Sequence, residues 1–96
     1  MHCALPAGQV TQAVRHRSVE EVWYCIAGLG ELWRRSGEVE ETVSLEPGVA
    51  ATIPLGASFQ FRALGAEPLE LVITTTPPWP GAHEALAVEG PWEPTT

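Results

Sequence analysis

The sequence predicts a chain that is all-β and forms one domain, and three observations lead to this fold class. No stretch places apolar residues at the spacing of an amphipathic helix. Short runs of β-branched and aromatic residues recur instead, separated by glycine or proline at intervals of roughly 8–12 residues. The 96 residues correspond to a single domain, so the strands must share one core.

Seven strands are predicted, and glycine or proline stands in five of the six segments between them. The predicted strands cover residues 9–17, 22–27, 30–35, 39–45, 49–53, 58–63 and 69–75. These five segments supply glycine for positive φ or proline for a preset φ. Seven short strands must close into a barrel or pair as a sandwich, because their edges would otherwise remain unpaired.

The last twenty residues differ in composition from the predicted barrel. Residues 77–96 are rich in proline, which cannot join a central strand. The sequence therefore predicts a barrel over residues 1–76 and an extended tail over 77–96, packed on the barrel or on a dimer partner. Trp79 and Trp92 are expected to anchor this tail, whereas His83 is expected to face solvent.

Charge and composition exclude several classes of partner. The net charge is −7 and the only basic residues are five arginines, so no surface can neutralise many nucleic-acid phosphates. No apolar run approaches the ~20 residues that cross a bilayer, and the first residues lack the basic start of a signal peptide. We expect a cytoplasmic protein with no nucleic-acid or membrane partner, and with reduced cysteines.

Two patterns in the sequence resemble the paired motifs of the cupin family. Residues at the offsets of the first motif are Gly8, Val14, His16, Glu21 and Gly28. Residues at the offsets of the second motif are Gly48, Pro54, Gly56, Phe59 and Ala63. The resemblance implies a cupin-type β-barrel, also called a jelly roll. Val14 and Phe59 stand where the family places metal-binding histidines, and Ala63 stands in place of asparagine.

Strand alternation predicts which side chains meet inside the barrel. Residues two apart on a strand point to the same face, which pairs Val14 with His16 and Phe59 with Phe61. The predicted pocket consists of Val14, His16, Glu21, Trp23, Phe59, Phe61 and Gln60. Alternation turns Gln60 away from this face, so its place in the pocket requires a β-bulge.

The resemblance leaves the function open, because the family includes enzymes, storage proteins and sugar-binding regulators. The first hypothesis is a protein that binds a small molecule, with His16, Glu21 and Gln60 orienting a polar group. No catalytic residue is assigned and no tightly bound cofactor is expected. The alternative is a metal-dependent enzyme, similar to sugar isomerases or dioxygenases. It would hold a divalent transition metal weakly through His16, Glu21 and further ligands.

The predicted strand over residues 22–27 also suggests an assembly. Val22, Tyr24 and Ile26 would lie on the outer face of the barrel, where polar residues are expected. A partner subunit using the same surface would cover them, so we expect a homodimer. A third functional hypothesis is an interaction module in which the barrel carries the tail with its tryptophans.

Overall fold

The computed structural model describes residues 1–77 and 84–96, which confirm the all-β prediction. Within them there is no α-helix, and no helix long and apolar enough to traverse a membrane. The strands are β1 (His2–Leu5), β2 (Val14–His16), β3 (Glu20–Ala27), β4 (Leu29–Ser36), β5 (Val39–Leu45), β6 (Ala50–Ile53), β7 (Ser58–Leu64), β8 (Leu69–Thr76) and β9 (Ala85–Ala87).

These strands form two antiparallel sheets around a shared core, as the predicted jelly-roll β-barrel requires. The four-stranded sheet has the order β1-β8-β3-β6, and the five-stranded sheet has the order β5-β4-β7-β2-β9. Inward side chains from both sheets meet in one apolar cluster, in which Trp23, Leu32 and Leu71 are almost fully buried. Burial of these apolar side chains is the main force that holds the two sheets together.

Two turns that position strands around the core depend on glycine, one at Gly28 and one at Gly56. Gly28 joins β3 to β4 with a φ of +80°, and a Cβ at this position would collide with the carbonyl oxygen of Pro68. Gly56 has a φ of +79° in the turn before β7. That turn is closed by the Ala57 amide, which donates to the carbonyl of Pro54 at 3.1 Å. Residues with a Cβ rarely adopt this conformation.

The N-terminal part of the fold differs from the sequence prediction. β1 was not predicted, and it pairs with β8 from His2 opposite Val72 to Leu5 opposite Leu69. The predicted strand over residues 9–17 is shortened to β2, preceded by an isolated bridge between Val10 and Arg62. Residues 9–13 contact β7 through single hydrogen bonds instead of a continuous ladder.

The described part of the tail, residues 84–96, lies against the five-stranded sheet. β9 pairs with β2 and is the last strand of this sheet within the described residues. The Trp92 ring lies 4.1 Å from the guanidinium carbon of Arg62, which favours a cation–π contact. Trp79 and His83 fall outside the described residues.

Candidate functional site

An apolar cavity of about 360 Å³ lies between the two sheets. Five of the predicted pocket residues line it: His16, Glu21, Trp23, Phe59 and Phe61. Met1, Cys3 and Ile73 also line it and were not predicted. The structure therefore brings together residues that are distant in sequence, and it does so from both sheets.

Strand geometry explains why these side chains share the cavity. Glu21 and Trp23 are two apart on β3, and they alternate with exposed residues on the other face of the four-stranded sheet. Phe59 and Phe61 are two apart on β7 in the opposite sheet. His16 lies at the end of β2, which is the neighbour of β7. Apart from Met1, the described residues that line the cavity thus stand on strands.

The aromatic side chains of the cavity pack edge to face. Trp23 lies 5.5 Å from Phe59 and 4.8 Å from Phe61, with interplanar angles of 88° and 79°. The imidazole of His16 lies 5.0 Å from Phe59 at 80°. Such T-shaped contacts are favourable because the positive edge of one ring meets the negative face of another. The contacts hold the apolar wall in one arrangement.

A buried carboxylate and an imidazole form the polar part of the cavity. Glu21 Oε1 accepts a hydrogen bond of 2.9 Å from Trp23 Nε1. Glu21 Oε2 lies 3.8 Å from His16 Nδ1, and the two side chains are only 4% and 7% exposed. A distance of 3.8 Å is too long for a hydrogen bond. The two groups do not bond to each other, but they lie close enough together for one polar group of a ligand to contact both.

Gln60, which was predicted for the pocket, is not among the described residues that line this cavity. Gln60 is fully buried, but its amide faces the other side of β7, where Nε2 donates to the carbonyls of Thr11 and Trp92 at 2.9 and 2.8 Å. Its Oε1 accepts from the Trp92 amide at 3.1 Å. β7 keeps a continuous register with β4, so no bulge turns Gln60 toward the cavity.

Val14 is close to the cavity without lining it. It is partly buried, packs against the core and lies directly opposite Phe59 in the pairing of β2 with β7. The pairing of Val14 with Phe59 agrees with the resemblance to the cupin motifs, in which histidines at these two positions bind the same metal ion. Phe59 itself faces the cavity and contributes a ring where the family has an imidazole.

Sequence reasoning missed Met1 and Cys3 because it missed β1. The only signal was the alternation of Cys3 and Leu5 with the exposed His2 and Ala4. Burial raises the pKa of the Cys3 thiol, and the nearby charge of Glu21 raises it further. Cys3 therefore contributes a neutral thiol to the cavity wall.

The donor set does not fit the metal centre that the motifs imply. The described ranges, 1–77 and 84–96, contain no group of three or more histidine, cysteine or acidic side chains that could hold a metal ion. His16 and Glu21 supply two donors, whereas Val14 and Phe59 supply none. Four protein ligands are therefore not assembled from the described residues.

Comparisons with known proteins agree with the architecture. The family model described as "Cupin domain" matches residues 1–75. No curated protein matches the chain. Among solved structures, the capsular polysaccharide assembling protein CapF from Staphylococcus aureus is 14% identical, with a TM-score of 0.82. The alignment covers 93% of this chain and 27% of CapF.

Two further structures show the same likeness in proteins with different printed descriptions. Peruvianin-I, a cysteine peptidase from Thevetia peruviana latex, is 19% identical, with a TM-score of 0.80 and coverage of 91% of this chain and 53% of that one. Oxalate decarboxylase from Bacillus subtilis is 17% identical, with a TM-score of 0.71 and coverage of 77% and 20%. The chain thus spans between a fifth and about half of these structures, and the likeness is one of fold.

Proposed function

The chain belongs to the cupin domain family, and from this premise we propose that it binds a small organic molecule in the cavity between its sheets. The observation that carries the proposal is the composition of the cavity, in which three aromatic rings surround one buried carboxylate and one imidazole. Ligand sites in proteins combine mostly apolar walls with a few polar groups, at volumes of roughly 300–1,000 Å³. The cavity of about 360 Å³ lies within this range.

The two kinds of lining residue have different tasks in this proposal. Trp23, Phe59 and Phe61 supply affinity, because covering their rings removes apolar surface from water at roughly 25 cal/mol per Å². Glu21 supplies orientation, since a ligand that leaves its buried carboxylate oxygen Oε2 unsatisfied binds less well, and His16 lies beside it. The edge-to-face packing of the rings keeps the cavity shaped before the ligand enters.

The indole N–H of Trp23 is a reporter inside the cavity, because it donates to Glu21 Oε1. We expect NMR spectra recorded with a library of small amphiphilic compounds to show shifts of this resonance for the compounds that bind. Cys3→Trp should fill the cavity from β1 and abolish the shifts. Ala4→Trp is the matched control, since Ala4 is exposed on the opposite face of the same strand.

Two results would contradict the proposal. One is a wild-type Trp23 signal that no compound in the library moves. The other is binding that persists unchanged in Cys3→Trp while that variant retains the wild-type fold, because the ligand would then lie elsewhere.

A further inference from the structure

The geometry points to a more specific ligand: we propose that the cavity selects an organic ammonium ion with an apolar body. This inference rests on the proposed function and names its ligand class. A carboxylate buried among aromatic rings is the feature that carries it, with Glu21 at 5% exposure and Trp23, Phe59 and Phe61 around the same cavity.

The acceptor capacity of Glu21 is only partly used by the described residues. Oε1 is bonded to Trp23, whereas Oε2 receives no hydrogen bond from them, and His16 Nδ1 is 3.8 Å away. The ammonium group of Met1, another residue of the lining, donates to the Ile73 carbonyl instead, at 2.8 Å. A ligand that donates to Oε2 would complete the carboxylate, and a charge-assisted donor does so most strongly.

No arginine lies in the cavity to compete for the carboxylate, and the chain has no lysine. Arg34 and Arg62 form ion pairs with Glu41 and Glu31, and Arg35 lies near the Trp33 ring, all away from the cavity. Arg15 and Arg17 are exposed, and neither is among the residues that line the cavity. The charge of Glu21 is therefore available to a cationic ligand.

The rings strengthen the preference for a cation. The faces of indole and phenyl rings carry partial negative charge and attract ammonium groups, as they do in known sites for quaternary ammonium ligands. The chain as a whole has a net charge of −7, which raises the local concentration of cations around it. An anionic ligand would meet repulsion from Glu21, and a neutral ligand would gain only the burial of its apolar body.

Three probes of similar shape separate these cases: phenethylammonium, 2-phenylethanol and 3-phenylpropanoate. We expect the ammonium ion to shift the Trp23 indole resonance at concentrations roughly tenfold or more below those of the alcohol, and the carboxylate to bind weakest. Glu21→Gln keeps an oxygen that can accept from Trp23 but removes the charge. It should abolish the preference for ammonium over alcohol. Glu38→Gln removes the same charge from an exposed turn and should leave the preference intact.

A second measurement needs no variant and therefore does not depend on the folding of Glu21→Gln. Trimethyl(phenethyl)ammonium carries the charge but cannot donate a hydrogen bond, so wild-type protein should still prefer it to the alcohol. Equal affinity for alcohol and ammonium ions would overturn the inference, as would a preference that survives Glu21→Gln. The proposed function would stand in either case, because a small molecule would still bind. If no compound of the wider library or of this series binds, both fall together.

Discussion

Glu84 fixes the start of the described tail through one carboxylate. It is 4% exposed, and its Oε1 accepts from the backbone amides of Ser18 and Val19 while Oε2 accepts from the Ser18 hydroxyl at 2.8 Å. Burial raises the pKa of Glu84, but the hydrogen bonds from Ser18 and Val19 outweigh this and, with the nearby His16, lower the pKa below 4.5. Donors directed at a carboxylate favour its charged form.

The lowered pKa predicts a loss of stability in acid. In the folded state Glu84 titrates below its unfolded value of 4.5, so its contribution is fully present above that pH. It is lost as the pH falls from 4.5 through the folded pKa. The free energy of unfolding, measured by urea denaturation, should therefore fall between about pH 7 and about pH 3 in the wild type. In Glu84→Gln it should fall less over the same range.

Glu93→Gln is the control for this experiment, because Glu93 is exposed in the same segment. It should retain the wild-type pH dependence. A Glu84→Gln variant that loses as much stability in acid as the wild type would show that the charge of Glu84 makes no contribution.

At the scale of strands, β7 shows what alternation could and could not predict. Phe59 and Phe61 face the cavity as the pattern required, because a strand between two neighbours keeps its register. Gln60 gave no signal of its partners, since these are the backbones of Thr11 and Trp92, which lie 49 and 32 residues away in the sequence. β1 escaped prediction for a similar reason, because its pairing with β8 is a tertiary contact rather than a local preference.

The pairing of β2 with β7 predicts that a metal site can be restored. Val14 and Phe59 are direct partners, and His16 packs against Phe59, so Val14→His with Phe59→His would place three imidazoles beside Glu21. We expect the double variant to retain about one equivalent of Zn²⁺ or Ni²⁺ after dialysis against a weak chelator. The parent should retain less than one equivalent.

Val14→His alone is the control for the restored site. It adds one ligand and leaves Phe59 in the cavity, so it should bind metal more weakly than the double variant. No gain in metal content, in a double variant that remains folded, would mean that these side chains do not converge as their pairing requires.

At the scale of the whole molecule, the outer face of the four-stranded sheet is unusually apolar. Val22, Tyr24 and Ile26 on β3 are 52%, 48% and 44% exposed, and Val72 lies directly opposite Tyr24 on β8. Residues 84–96 pack on the other sheet, so the described tail does not cover this face. A second copy of the chain, related by a two-fold axis, could bury the face against itself.

We therefore still predict a homodimer. Light scattering should give twice the mass of one chain for the wild type and the mass of one chain for Ile26→Arg, because an arginine on this face would be buried in the contact without a partner. Leu55→Arg is the control, since Leu55 is 58% exposed in the turn before β7. A monomeric wild type would exclude the dimer, and a dimer unaffected by Ile26→Arg would place the interface elsewhere.

The strand pairings also have a consequence for how quickly the chain can fold. β1 pairs with β8, and Val10 accepts a hydrogen bond from Thr95, a residue 85 positions away in the sequence. Few of these contacts can form before distant segments meet, and closing such loops costs entropy before burial repays it. All-β proteins with this kind of topology fold in roughly milliseconds to seconds, more slowly than helical bundles. Until the N-terminal strands β1 and β2 reach β8 and β7, one edge of each of these later strands is unpaired. Their apolar residues are then exposed, and the chain is prone to aggregate during that interval.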